Sequence, residues 1–215
     1  MKEVLIKEYN NLKNLRIVPK EDDFLYNIHF VNGAFCEIRG AEDTEFRIEF
    51  IDKKTNKHLH FHDISNNMWT RTNAKYFIDY LIKIKNRDTG EVIHECEYNA
   101  KGKRVMICFD SKAIGDTLAW FPYVEEFRKK HQCEVIVSTF HNEWFKENYP
   151  NLEFIEPGDT AYNLYARYDV GWYYNEADYE ENNTINLDQV PTDFRKGPLG
   201  KTCSDVLGLD YKEIK

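Results

Sequence analysis

Two aspartates, Asp110 and Asp116, lie six residues apart in a polar segment that directly follows an apolar run. A positioned carboxylate can take a proton from a hydroxyl group, so either residue has the chemistry of a general base. Asp116 also precedes a helical stretch, and aspartate is among the best residues for capping a helix N-terminus. The residue types alone leave the base and the cap as equal alternatives for Asp116.

The neighbours of the two aspartates could help to hold a ligand. Gly115 permits a close backbone turn, and backbone N–H groups at the start of a helix can meet ligand oxygens. Lys112 could keep a carboxylate charged or contact a phosphate, or it could be an ordinary exposed lysine. Pro122 is expected to remove one helical hydrogen bond and to bend the helix. We predict a set of substrate-binding residues, Ser111, Lys112, Gly115, Thr117 and Trp120.

The elements around this segment have the order of a parallel sheet. Residues 104–109 form an apolar run without alternation, which is typical of a buried parallel strand. A helix to about His131 follows, and then strands over 133–138 and 152–155 with a short helix between them. A possible fourth strand covers 168–173, and a final helix covers 199–207. Ligands bind at the carboxyl ends of the strands in such sheets, which is where Asp110 and Asp116 lie.

The first half of the chain follows a different pattern, with short alternating strands and turns about every ten residues. Phe46, Ile48 and Phe50 are predicted to face inward, Asn32-Gly33 predicts a tight turn, and 76–85 is the longest predicted strand. We therefore expect an α+β chain with a small antiparallel sandwich or barrel followed by a Rossmann-like α/β domain. The predicted boundaries are a lead-in over 1–20, a β-domain over 21–102 and an α/β domain over 103–215.

Two further clusters have both a functional and a structural interpretation. His58, His60 and His62 alternate along a strand, so they share one face; this is a metal site or, more commonly, a polar outer face. No metal ligand is assigned to them. The aromatic stretch could stack on sugars or hold a peptide, but it is better explained as core and domain edge. Its members are Tyr162, Tyr165, Tyr168, Trp172, Tyr173 and Tyr174.

The bulk properties argue against several classes of partner. The net charge of −8 disfavours nucleic acid and anionic membrane surfaces as partners. No apolar run approaches the roughly 18 residues that a membrane span needs, and the N-terminus lacks the apolar core of a secretory signal. The five cysteines are an odd number, widely spaced and without a CxxC pair, as expected of reduced thiols in a cytoplasmic protein.

Residues 111–118, closing on Pro122, resemble the K-x-x-x-G-D-x-L…P opening of bacterial ADP-heptose-dependent heptosyltransferases. Further segments, in the same order along most of the chain, are similar to one branch of that group, the autotransporter strand-loop-strand O-heptosyltransferases. These segments are 77–80, 163–166, 198–201 and 205–209. Gly200 and Cys203 depart from the family pattern, which has a longer polar side chain and a small residue at these places.

The resemblance implies a fold and an activity. The fold is a small β-domain followed by the two Rossmann domains of a GT-B glycosyltransferase, of which the first faces the acceptor and the second holds the nucleotide-sugar. The activity is inverting transfer of heptose from ADP-heptose to a serine hydroxyl of a bacterial surface adhesin. Asp116 matches the base of the family's Gly-Asp motif, and Asp110 is the second candidate.

The resemblance also implies that two parts of the family's proteins, the nucleotide-binding domain and the iron site, lie outside the matched segments. It covers the N-terminal half, so catalysis is expected to need a separate nucleotide-binding Rossmann domain, and a homo-oligomer is possible. The family's cysteine-ligated iron site lies in the other half, and none of the five cysteines is assigned to it. The alternative is a non-catalytic acceptor-binding or assembly module that has lost the nucleotide-sugar domain.

Overall fold

The computed structural model describes residues 25–40, 44–175 and 184–212, and the chain in it divides into two compact units. The first unit comprises the described residues up to Thr72 together with Ile78–Tyr98. The second comprises Asn73–Phe77 and the described residues from Asn99 onward. The predicted lead-in over 1–20 lies outside the described residues.

The described part of the first unit is built from seven antiparallel strands. They are β1 (Leu25–Val31), β2 (Phe35–Arg39), β3 (Glu45–Asp52), β4 (Lys57–Ser65), β5 (Met68–Arg71), β6 (Tyr80–Asn86) and β7 (Val92–Glu97). Strand β2 pairs with β1 and β5, while β4, β3, β6 and β7 form a four-stranded sheet in that order. Asn32 and Gly33 both have positive φ (58° and 98°), as the predicted tight turn requires.

The core of this unit is formed by apolar side chains that alternate along the strands with polar ones. Phe46, Ile48 and Phe50 of β3 are fully buried, which confirms their predicted inward orientation. The register shifts between Phe50 and Ile51, so Ile51 is buried as well, directly after Phe50. Phe30 of β1 stacks on Tyr80 of β6, with ring centroids 5.7 Å apart, so the two groups of strands are in contact through these rings.

Strand β6 begins at Tyr80, so the predicted strand over 76–85 is wrong in its first four residues. The physical reason is Phe77, whose N–H donates to the carbonyl oxygen of Val206 at 2.8 Å. Its ring packs near those of Phe127 and Tyr168 in the second unit, with centroids 6.3 Å away in both cases. The apolar alternation of this segment therefore comes from packing in the second unit and not from strand pairing.

The described part of the second unit contains a four-stranded parallel sheet and two α-helices. Its strands are β8 (Arg104–Phe109), β9 (Glu134–Ser138), β10 (Leu152–Phe154) and β11 (Ala166–Val170), in the order β10-β9-β8-β11. All three neighbouring pairs are parallel, as the apolar run at 104–109 predicts. Strands β9 and β10 are thus added successively on one side of β8, and β11 is added on the other side.

Helix α1 (Ile114–His131) connects β8 to β9, and helix α2 (Leu199–Val206) lies near the end of the described chain. Helix α1 continues through Pro122 and buries Trp120, Phe121, Val124 and Phe127 completely. Burial of side chains of this size contributes about 1.5–3 kcal/mol each. The short helix predicted near 142–148 is a 3-10 helix over Asn142–Trp144. No helix in the described ranges is long and apolar enough to cross a membrane.

We predict that Gly208→Ala destabilises the second unit strongly. Gly208 has a φ of +62°, and a Cβ atom at this position would overlap the ring of Phe77. Gly102 is the matched control, because its φ is +66° and a Cβ there would meet nothing within 4 Å. Gly102→Ala carries the backbone strain alone, about 1 kcal/mol, whereas Gly208→Ala adds an overpacking cost of about 1–3 kcal/mol. Urea unfolding of both variants measures the difference; equal losses would contradict the account.

We predict that protonation of His131 weakens the fold in mild acid. Burial, with a further contribution from Lys130, lowers the pKa of His131 to about 4, and its ring lies 4.3 Å from that of Phe127. In the unfolded chain the pKa is about 6.5, so between pH 6.5 and 4 the unfolded state binds a proton that the folded state does not. The free energy of unfolding should fall over that window and be unaffected by His131 above it. His131→Phe should lessen the fall in pH-dependent urea unfolding; an unchanged pH profile would contradict this.

Candidate active site

The candidate site lies where two neighbouring parallel strands end side by side. Val170, the last residue of β11, is paired with Phe109, the last residue of β8. The N–H of Asp110 continues the ladder by donating to the carbonyl oxygen of Val170 at 2.8 Å. The strand order reverses between these two strands, and ligands of open α/β sheets bind in the crevice at such a reversal.

Gly171 allows the two strand ends to approach closely. A Cβ atom at this position would lie 3.1 Å from the Cβ of Asp110 and 3.0 Å from the hydroxyl oxygen of Tyr173. Ser111 and Trp172, each two residues beyond its strand, are thereby brought to the same edge of the sheet.

Asp116 is the residue on which these two strand ends converge. Its side chain is buried, with 7% of the residue exposed. The Ser111 hydroxyl donates to Asp116 Oδ2 at 2.6 Å, and the Trp172 indole Nε1–H donates to the same oxygen at 2.7 Å. Neither of these hydrogen bonds uses Oδ1. The carboxylate is therefore held by two donors on one oxygen.

Asp116 does not cap the helix, so the capping interpretation is wrong. Helix α1 begins at Ile114, its N-cap is Ala113 with φ −71° and ψ 131°, and no side chain caps it. Asp116 is the third residue of the helix, where a carboxylate still interacts favourably with the N-terminal end of the helix dipole. The Ser111 hydroxyl oxygen accepts from the N–H of Ala113 at 3.2 Å, which ties the loop to the helix start.

Thr117 and Trp120, two of the predicted substrate-binding residues, lie in the core of the second unit. Both are fully buried, and the Thr117 hydroxyl donates to the carbonyl oxygen of Ala113 at 3.2 Å. The Trp120 indole N–H donates to the carbonyl oxygen of Leu199 at 2.9 Å. Neither side chain reaches the surface of the described chain, and substrate binding by these two residues stays a prediction.

Gly115 and Lys112 are on the accessible side of the loop. Gly115 is the second residue of α1 and not part of a tight turn, and a Cβ there would meet only Leu199 Cδ1, at 3.9 Å. The Lys112 ammonium lies 5.1 Å from the ring centroid of Phe140, and the carbonyl oxygen of Lys112 is 3.0 Å from His141 Nε2. Substrate binding by Ser111, Lys112 and Gly115 stays a prediction.

Asp110 is exposed, in contrast to Asp116, and it lies beside two groups that stay protonated. Burial, and next the Asp169 carboxylate, raise the pKa of the Cys108 thiol to about 12. The same two causes, followed by the charge of Asp110, raise the pKa of the Tyr173 phenol well above its usual range. Neither group is a proton acceptor at neutral pH. The Asp169 carboxylate is paired with Arg167, at 2.9 Å, so Asp110 and Asp116 stay the candidate bases at this edge of the sheet.

Trp172 contacts Asp116 in the structure, but the sequence does not reveal this, because its aromatic stretch is better explained as core and domain edge. A usable signal was its position two residues after a parallel strand, which matches the position of Ser111 after β8. A group of partly exposed rings next to Lys112 was also missed. His141 stacks on Trp144 there with ring centroids 4.2 Å apart, and Phe140 is adjacent.

The described residues offer no donor set for a metal ion. His60 and His62 do share one region of β4, with their Nε2 atoms 3.2 Å apart, and the second ring nitrogen of His62 is 2.5 Å from the Thr70 hydroxyl. Within the described ranges, however, no group of three His, Cys, Asp or Glu side chains could hold a metal. An iron ion therefore does not fit the residues of the described ranges.

Comparison with known proteins identifies relatives of one kind. No protein-family model matches the chain. The chain is 28% identical over 172 residues to the autotransporter heptosyltransferase Aah of Escherichia coli, a match that covers 79% of the chain and 41% of Aah. It is also 28% identical over 117 residues to the inactive autotransporter heptosyltransferase BimC of Burkholderia thailandensis, covering 54% of the chain and 27% of BimC.

Solved structures show the same fold. The crystal structure of the iron-containing dodecameric glycosyltransferase TibC from enterotoxigenic E. coli superposes with a TM-score of 0.72, at 23% identity over 90% of the chain and 48% of TibC. The structure of TibC in complex with ADP-D-β-D-heptose superposes with a TM-score of 0.71, at 22% identity over 89% of the chain and 47% of TibC. The chain thus spans less than half of the length of the proteins that it matches. Over most of its length it is similar to the N-terminal part of autotransporter heptosyltransferases.

Proposed function

We propose that the chain is the acceptor-side part of a heptosyltransferase that transfers heptose from an ADP-sugar to a serine hydroxyl of a protein. The single observation that carries the proposal is the carboxylate of Asp116. It lies at the strand-order reversal of a parallel sheet and is held by hydrogen bonds of 2.6 and 2.7 Å. The curated relatives named as heptosyltransferases support this choice of reaction over other uses of a carboxylate.

The proposed step is a single inverting displacement. Asp116 accepts the proton of the serine hydroxyl while the serine oxygen forms a bond to the anomeric carbon of heptose. The bond between that carbon and the diphosphate oxygen breaks, and ADP leaves with the electron pair. A hydroxyl is a weak nucleophile while protonated, so removal of the proton by a positioned base accounts for much of the rate. Asp110, exposed at the end of β8, is the second candidate for the base.

The remainder of the enzyme has to supply the donor site. We propose a GT-B arrangement in which residues 103–215 are the first Rossmann-like domain, 21–102 a β-domain, and a second Rossmann domain binds ADP-heptose. The strand order of the second unit supports the Rossmann-like assignment. TibC is dodecameric and forms a complex with ADP-heptose, which supports a homo-oligomer and this donor. The five free cysteines support action in the cytoplasm.

A non-catalytic acceptor-binding or assembly module is the second candidate. One specific observation favours it, since the matched relative BimC is named as inactive. The two candidates differ in the consequence of losing the Asp116 carboxylate. If the chain is catalytic, loss of the carboxylate abolishes transfer. If it is an assembly module, the wild-type protein has no transfer activity, and the substitution leaves partner binding unchanged.

We predict that Asp116→Asn lowers transfer at least about 100-fold in a complex of the chain with a donor-binding Rossmann domain, because general-base catalysis typically contributes about 100- to 10,000-fold. The asparagine oxygen can accept the hydrogen bonds from Ser111 and Trp172, so the melting temperature should change little. Transfer is measured by mass spectrometry of a serine-containing adhesin fragment incubated with ADP-heptose, and folding by thermal melting.

Asp110→Asn is the matched control for this substitution, since it makes the same chemical change six residues earlier and is expected to retain most of the transfer activity. Loss of transfer in Asp110→Asn with full activity in Asp116→Asn would move the base to Asp110. Full activity in both variants would refute a catalytic role for this loop, and a wild-type protein without any transfer would favour the assembly module.

We predict that this chain alone binds ADP-heptose weakly, because the groups that meet the diphosphate are expected in the second Rossmann domain. Isothermal titration calorimetry of the chain with ADP-heptose should give a Kd above about 1 mM, whereas the chain combined with a donor-binding Rossmann domain is expected to bind in the micromolar range. Micromolar binding by this chain alone would contradict the proposed division of the site.

A further inference from the structure

Trp172 has its polar atom directed at the candidate base and its ring fixed by other aromatic side chains. The indole N–H donates to Asp116 Oδ2 at 2.7 Å. The ring lies against Trp120, with centroids 5.3 Å apart, and against Phe194, with centroids 4.9 Å apart at an interplanar angle of 64°. Packing of this kind restricts the rotation of the indole, so the direction of its N–H is set by the core and not by the ligand.

The two donors on Asp116 distinguish its two oxygens. The carboxylate torsion of aspartate is broad and nearly two-fold, so an unrestrained Asp116 could present either oxygen to a substrate. Trp172 and Ser111 both donate to Oδ2, which leaves Oδ1 out of these hydrogen bonds. An indole N–H can only donate, so Trp172 cannot compete for a proton, whereas the Ser111 hydroxyl can rotate and also accept.

We infer that Trp172 is a positioning residue for Asp116. Its N–H, together with the Ser111 hydroxyl, holds Oδ2 so that Oδ1 is the oxygen that receives the proton of the acceptor hydroxyl. This inference rests on the proposed function, because it assigns a geometry to the base of that reaction. It concerns a residue that lies 56 positions from Asp116 in the chain and comes near it only through the pairing of β8 with β11.

The test is Trp172→Phe in the complex of the chain with a donor-binding Rossmann domain, assayed with ADP-heptose and an adhesin fragment. Phenylalanine keeps an aromatic ring between Trp120 and Phe194 but removes the N–H. We expect kcat to fall about 10- to 100-fold, the loss typical of one hydrogen bond to a charged group, while KM for ADP-heptose stays within about two-fold. In the Asp116→Asn background the same substitution should cause no further loss, because the carboxylate that it positions is already gone.

Tyr123→Phe is the control, since it removes a hydrogen bond of 2.7 Å from an aromatic residue of α1 to the carbonyl oxygen of Lys212 and should leave kcat unchanged. Ser111→Ala removes the other donor without altering the aromatic packing. It is expected to lower kcat in the same manner, and it provides the test if Trp172→Phe does not fold.

These variants distinguish failure of the positioning role of Trp172 from failure of the proposed base. Wild-type kcat in both Trp172→Phe and Ser111→Ala, with Asp116→Asn inactive, would overturn the positioning role and leave the proposed function intact. An equal proportional loss from Trp172→Phe in the wild-type and Asp116→Asn backgrounds would show a general structural effect and would also overturn it. Full transfer by Asp116→Asn would overturn the assignment of the base, and the positioning role with it.

Discussion

Parallel pairing of β8 with β11 is the constraint on which the candidate site depends. The register places Val170 opposite Phe109, so the chain leaves both strands at the same point of the sheet edge. Ser111 and Trp172 then reach one carboxylate from two sides, at 2.6 and 2.7 Å. A slip of one residue would turn the side chains of β11 to the opposite face and remove the indole from the site. The chemistry proposed for Asp116 is thus a consequence of backbone register.

The parts of the fold that depend on local pattern could be predicted from the sequence. The uninterrupted apolar run of β8 identifies a buried parallel strand, and its carboxyl end locates Asp110 and Asp116 at the ligand-binding edge. Clean alternation in β3 identifies Phe46, Ile48 and Phe50 as core, and Asn32-Gly33 identifies a turn. In each case the residues that determine the structure are neighbours in the chain.

The remaining features depend on contacts between distant residues, which local patterns do not encode. The hydrogen bond from Trp172 to Asp116 joins positions 56 residues apart. In the sequence, Trp172 therefore cannot be distinguished from an aromatic residue of the core. The start of α1 cannot be predicted from the sequence, because its N-cap, Ala113, makes no side-chain hydrogen bond. Gly115 and Asp116 have the residue types of a helix boundary but lie inside the helix. Phe77 alternates like a strand residue, yet it packs against Phe127 and Tyr168 of the second unit.

We propose that Asp116 presents one defined oxygen to the acceptor hydroxyl, and a structure of the chain with a donor-binding domain, ADP-heptose and a serine peptide would show this geometry. The measured quantity is the distance from each carboxylate oxygen of Asp110 and Asp116 to the serine hydroxyl oxygen. We expect Asp116 Oδ1 to lie within hydrogen-bonding reach of the serine hydroxyl oxygen, about 2.6–3.2 Å, with Trp172 still bonded to Oδ2. A serine hydroxyl that contacts Asp110 instead, with Asp116 turned away from the ligand, would contradict it.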